Sequence, residues 1–181
     1  MRLLSGTTCY TIGPLECGCF KDARQWRAYL KEKLTPLGIK TLSPLNKMFK
    51  NFEKEGENFN SELKQALKDG KYEWVHEQMK MVRNRDLAAC DLSTFLIAII
   101  EPGVATYGSI DEIVTSKRNQ KPVFLVIPDK GYSEMPLWLA SYFRPNWVYK
   151  NLDEVIETIY KIDSGEIKVS NKNWKILDDE K

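Results

Sequence analysis

Two nearly uninterrupted apolar runs, Leu92 to Ile100 (LSTFLIAII) and Pro122 to Ile127 (PVFLVI), constrain the fold more than any other feature of the sequence. A strand with one wet face alternates apolar and polar residues. A run without alternation has both faces covered, as in a parallel sheet flanked by helices. Between the runs, Ser109 to Asn119 carries Ile110, Ile113 and Val114 at helical spacing, with Ser109 as N-cap and Asp111 and Glu112 in the first turn. Strand, helix and strand form a β-α-β unit, and its right-handed crossover sets the two strands parallel. The loop from Glu101 to Gly108 then lies at the carboxyl end of the first strand.

The same alternation runs through the rest of the chain. A short strand near Cys9 to Ile12 leads through a Gly13-Pro14 turn to a helix over Lys21 to Leu34, which puts Trp26, Leu30, Leu34 and Leu37 on one face. A second short strand near Ile39 to Leu42 ends at Ser43-Pro44. The segment 46–71 is polar and broken by glycines, with weak helical character around Ser61 to Lys68, and reads as a surface excursion or lid. A helix over Tyr72 to Ala89 follows with Val75, Met79 and Val82 inward, and Leu152 to Ile162 forms a last helix on Val155, Ile156 and Ile159. The prediction is one α/β domain over 1–163, a doubly wound, flavodoxin- or Rossmann-like parallel sheet with helices on both faces, and a tail over 164–181. In such sheets ligands sit at the carboxyl ends of the strands, near the point where strand order reverses. The Gly13-Pro14 turn, the Ser43-Pro44-Leu45 turn and the Glu101 to Glu112 stretch are expected to converge there.

Composition excludes several classes of function. The 27 basic and 25 acidic residues are mixed along the chain, so the basic stripe of a nucleic-acid binder is missing. The longest apolar run is far shorter than the roughly 20 residues that span a bilayer. The N-terminus has no signal-peptide pattern, and a cytoplasmic location is expected. The spacing Cys17-x-Cys19 is not that of a zinc or redox pair, and His76 is the one histidine, so neither a metal site nor a histidine-based Ser or Cys triad is expected. No phosphate-binding Gly-x-x-x-x-Gly-Lys-Ser/Thr loop and no Gly-x-Gly-x-x-Gly fingerprint is present, and no cofactor is predicted.

Four strings in order point further. CYTIGPLE, SPLNKMFKN, NRDLAACDLSTFLIAI and TYGSIDEI followed by KPVFLVIPD resemble the strand-and-turn elements of the nucleoside 2-deoxyribosyltransferases. The likeness covers Cys9 to Asp129, interrupted by the excursion, and TYGSIDEI is its most specific part. It implies that Glu112 attacks the anomeric carbon of a 2-deoxynucleoside, releasing the base and leaving a glycosyl-enzyme for a second base to attack. A carboxylate ionised at neutral pH suits that task, by the logic of retaining glycosidases. Without the resemblance, Glu112 reads as a first-turn carboxylate that complements the helix dipole.

The resemblance further implies that Asp86 handles the base or its proton and that Tyr10 orients the nucleophile. Read as plain residues, Asp86 is a solvated carboxylate among Arg83 and Arg85, and Tyr10 is a strand aromatic. Gly13, Pro14, Pro44, Thr106, Gly108 and Ser109 are the implied substrate-binding positions. Thr106 stands where the family commonly has an Asp that contacts the base. Ser109 at a helix N-terminus suits a 5′-phosphate, so the substrate class includes nucleotides. The implied partners are a nucleoside or nucleotide and a free nucleobase. The open alternatives are an N-glycoside hydrolase and a non-catalytic nucleotide-binding module. A homo-oligomer is expected from the family's shared sites and from Trp138, Tyr142, Phe143 and Trp147, read as exposed aromatics.

Overall fold

Each long apolar run folds as a strand of one parallel sheet. The computed structural model describes residues 2–14, 23–45, 57–104 and 106–168. In chain order the elements are β1 (Thr8–Ile12), α1 (Ala23–Leu34), β2 (Lys40–Leu42), α2 (Glu57–Lys68), α3 (Tyr72–Leu92), β3 (Phe95–Ile99), α4 (Tyr107–Arg118), β4 (Val123–Val126), α5 (Leu137–Ala140), β5 (Val148–Tyr149) and α6 (Leu152–Ser164). The strands lie in the order β2-β1-β3-β4-β5, and every neighbouring pair is parallel. This is the doubly wound α/β fold that the alternation predicts, with β3 central and buried throughout. Strand order reverses between β1 and β3, where Tyr10 sits beside Leu96 and Ile12 beside Ala98. A crevice opens outside the carboxyl ends at such a point.

The two-residue period of the strands divides the core into two layers. Cys9, Phe95, Ile97, Ile99, Phe124 and Val126 point to one face, where they pack on Trp26, Leu30 and Leu34 of α1 and on Val155, Ile159 and Ile162 of α6. Tyr10, Ile12, Leu96, Ala98, Val123 and Leu125 point to the other, against Ala89 and Cys90 of α3, Ile113 of α4 and Leu139. Tyr10 therefore shares a face with the helices that carry Asp86 and Glu112.

Several boundaries differ from expectation, each for a local reason. Leu92 ends α3 and is 64% exposed, and the strand starts at Phe95. The Lys121 ammonium donates to the carbonyls of Asp91 (2.5 Å) and Ser93 (2.6 Å), supporting the helix end beyond Ala89. Helix α4 starts at Tyr107 because the Thr106 carbonyl already accepts from the Ile110 N–H at 3.0 Å. Ser109 is thus a buried residue inside the first turn rather than the N-cap, and Asp111 and Glu112 fall beyond that turn. Met79 is 44% exposed, whereas Val75 packs on Phe59, Leu63 and Ala66 of α2. Of the excursion, residues 57–68 make helix α2 and 46–56 lie outside the described residues.

The aromatic cluster is split. Phe143 and Trp147 are buried within the chain, while Trp138 is 76% exposed. The edge strand β5 and the short helix α5 carry too few residues for a periodic signal, and the expected pattern omits both. Helix α6 extends to Ser164, one residue past the expected domain end, and closes on Gly165 at φ 82°. Its Asp163 accepts from the Leu4 N–H at 2.9 Å, tying the two ends of the fold together. Residues 169–181, Lys21 and both cysteines of the Cys17-x-Cys19 pair lie outside the described residues.

Candidate active site

Tyr10, Asp86 and Glu112 are far apart in the chain and meet on one face of the sheet. Tyr10 is the third residue of β1 and is almost fully buried. Its hydroxyl donates to Glu112 Oε1 at 3.0 Å. The same hydroxyl is within hydrogen-bonding reach of Asp86. On the solvent side of the same pair of helices, Arg83 Nε of α3 donates to Asp111 Oδ2 of α4 at 3.0 Å.

Each carboxyl has a neighbouring guanidinium. Arg85 donates to Asp86 Oδ1 through Nε (3.0 Å) and Nη2 (2.7 Å), and both side chains are largely shielded from solvent. Arg27 acts on Glu112 from α1, the helix that covers the opposite face. Burial pushes the Glu112 carboxyl up to about 8, and the charge of Asp86 adds to the rise. The Tyr10 hydrogen bond and the positive charges of Arg27 and Arg85 pull the other way without cancelling it. Asp86 is also raised, chiefly by burial, against the opposing pull of Arg85 and Tyr10. The Asp86 charge disfavours a second negative charge on Glu112, so the pair favours a state that keeps one proton.

Glu112 is therefore not the exposed, ionised helix-start carboxylate that its sequence position implies. It is a buried acid, pushed up to about 8. Asp86 likewise is ion-paired and mostly buried instead of solvated.

The implied substrate positions line the same edge. Gly13 and Pro14 follow β1 and are buried. An added Cβ at Gly13 would stand 3.1 Å from Trp26 Cζ2 and 3.3 Å from Ile99 Cβ, so a side chain there would require α1 or β3 to give by a few tenths of an ångström. Thr106, Gly108 and Ser109 sit at the start of α4, beyond the carboxyl end of β3. Thr106 Oγ1 is buried and has no hydrogen-bond partner among the described residues. Pro44 is partly buried just after β2, one strand further out.

Sequence reasoning missed Arg27, and the signal was present. Within α1 it follows Trp26 and precedes Leu30 by three residues, a charge set on the apolar face of an amphipathic helix. Among the described residues, no group of three or more His, Cys, Asp or Glu side chains is gathered as a metal site requires, and no helix is long and apolar enough to cross a membrane.

No protein-family model matches the chain, and no curated protein matches it. Among solved structures, the chain is similar to a 2-deoxyribosyltransferase from the psychrotolerant bacterium Bacillus psychrosaccharolyticus, a protein described as a biocatalyst for nucleoside synthesis. The identity is 16%, the TM-score 0.50, and the match covers 75% of this chain and 81% of that one. A conserved protein from Enterococcus faecalis V583 aligns at 20% identity and a TM-score of 0.40 over 87% of each chain. At 16% identity the likeness to the transferase is one of fold.

Proposed function

We propose that the chain cleaves or exchanges the N-glycosidic bond of a 2-deoxynucleoside or its 5′-monophosphate by double displacement through Glu112. The observation that carries this reading is the buried Tyr10–Glu112 hydrogen bond, with Asp86 beside it, at the carboxyl edge of a doubly wound sheet. The shared fold with a 2-deoxyribosyltransferase supports the choice of substrate class.

Tyr10 holds Oε1 of the nucleophile, leaving Oε2 to attack the anomeric carbon. As the C–O bond forms, the C–N bond to the base breaks, and its electron pair stays on the base nitrogen. Asp86, whose carboxyl is raised, delivers the proton that the departing base needs. The product of this half-reaction is a glycosyl ester on Glu112 and an Asp86 carboxylate. In the second half, an incoming base attacks the anomeric carbon, Glu112 leaves as a carboxylate, and Asp86 takes the proton from the new base. Gly13, Pro14 and Pro44 would wall the sugar side. The Thr106 hydroxyl would face the base, and the Gly108–Ser109 turn of α4 would suit a 5′-phosphate.

The test is a panel of 2-deoxynucleosides and their monophosphates, incubated with and without free adenine or cytosine and followed by chromatography. Exchange gives a new nucleoside only when a second base is supplied. Base release without an acceptor identifies a hydrolase at the same site. Silence across the panel removes the catalytic reading and leaves a nucleotide-binding module.

A further inference from the structure

We infer that Arg27 is a positioning residue, which anchors the Gly13 turn after β1 and supplies the counter-charge for the buried Glu112. Arg27 is 5% exposed, an environment that expels a cation unless it is compensated. Its Nη2 donates to the Gly13 carbonyl at 3.1 Å and its Nη1 to the Ala23 carbonyl at 2.8 Å. The guanidinium lies 4.0 Å from the centre of the Trp26 ring. Among the described residues it hydrogen-bonds no carboxylate, and its Nε–H is buried without a partner. Two carbonyls and one ring face leave most of the charge unmatched. The carboxylate that acts on it is Glu112, the group the Tyr10 hydroxyl holds.

The influence is reciprocal, since Arg27 favours the Glu112 carboxylate as Glu112 favours the guanidinium. The other groups facing Glu112 are Tyr10 on β1 and Asp86, Arg85 and Cys90 on α3. Arg85 is engaged twice by Asp86, which makes Arg27 the cation not already committed to a carboxylate in this group. Its bond to Gly13 also sets the turn that closes against Trp26 and Ile99. One side chain thereby couples the shape of the turn to the ionisation of Glu112.

The consequence for turnover rests on Glu112 being the nucleophile, but the ionisation itself is measured without substrate. Glutamate side chains labelled with carbon-13 are followed by NMR from pH 5 to 10, and the Glu112 carboxyl is assigned by its loss in Glu112→Gln. Arg27→Met is expected to move the Glu112 midpoint up by about one pH unit, because an opposite charge nearby commonly lowers a carboxyl by one unit or more. Arg27→Lys keeps the charge but not the fork, and its midpoint is expected within a few tenths of wild type. Should Arg27→Met not fold, Arg27→Gln takes its place, removing the charge while retaining a donor for the Gly13 carbonyl. A folded Met or Gln variant with an unchanged Glu112 midpoint overturns the proposal. If Glu112 shifts as expected while the substrate panel stays silent, the positioning role stands and the catalytic reading falls.

Discussion

Replacing Glu112 with Gln keeps the shape of the side chain and an oxygen that accepts from Tyr10, but removes a group that titrates. The folded protein holds this carboxyl at about 8, against 4.5 in its ordinary state. Both folded and unfolded chains carry the proton in acid, so the stability contributed by the neutral form is fully present below the ordinary value. As pH rises, the unfolded chain releases its proton first while the folded chain retains it. Unfolding becomes progressively easier until the folded carboxyl also ionises, and the contribution is lost through pH 8. Over about three pH units at roughly 1.4 kcal/mol each, the loss is on the order of 4 kcal/mol, an upper bound because the denatured chain keeps some structure.

At about 2–4 °C per kcal/mol for a chain of this size, that corresponds to a Tm difference of about 10 °C. Melting curves of both proteins at pH 5 and pH 8.5 provide the assay, since groups common to the two cancel in the difference. Glu112→Gln is expected to match the wild type within a few degrees in acid and to exceed it clearly at the higher pH. A Tm difference that stays constant between the two conditions would refute the burial argument, and with it the account of Glu112 as a strained, functional acid.

Three further outcomes follow from the same geometry. If the Glu112 anion attacks while Asp86 holds the one proton of the pair, kcat/KM for exchange should fall about tenfold per pH unit above pH 8, where that proton is lost, and Asp86→Asn should abolish this alkaline limb while reducing turnover by about 10²–10⁴ through loss of the proton donor; an alkaline limb that persists in Asp86→Asn contradicts the coupling. Tyr10→Phe removes a hydrogen bond to a charged group worth about 1.5–3 kcal/mol, so the Glu112 midpoint should rise by about one to two pH units, read by the same carboxyl titration. Leu137 and Trp138, 92% and 76% exposed, form a neighbouring apolar pair on α5, and self-association through them should be weakened by Trp138→Ala in light scattering; a wild-type monomer at every micromolar concentration tested rules it out.

The core of the fold was legible because buried parallel strands leave long unalternated runs. LSTFLIAII and PVFLVI marked β3 and β4, and the helix between them fell at α4. Strand β5 was not legible, because a two-residue edge strand is set by its pairing with β4 and not by any local pattern. Nor was the extent of α3, which depends on a lysine 29 residues beyond its last residue in the chain, Leu92 to Lys121. At the candidate site, the identities of Tyr10, Asp86 and Glu112 came from ordered motifs, whereas their surroundings came from packing. Helical position alone makes Glu112 an exposed carboxylate; burial and the charge of Asp86 on α3 make it a buried acid, against the opposing pull of the Tyr10 hydrogen bond. Arg27 shows the reverse case, where a charge on an apolar helix face was a visible signal with no visible partner.

The most direct test of Glu112 as nucleophile is to capture the covalent intermediate. A 2-fluoro-2-deoxy nucleoside analogue withdraws electron density from the anomeric carbon, which disfavours the cation-like transition states of both half-reactions, and a good leaving base keeps formation faster than breakdown. Intact-protein mass spectrometry after incubation should show one added fluorodeoxyribosyl group. Peptide mapping should place it on Glu112, and Glu112→Gln should acquire none. Supplying a free base should discharge the labelled protein and yield the corresponding fluorinated nucleoside. A sugar adduct on any other residue, or turnover of natural substrate by Glu112→Gln at the wild-type rate, would contradict the central claim.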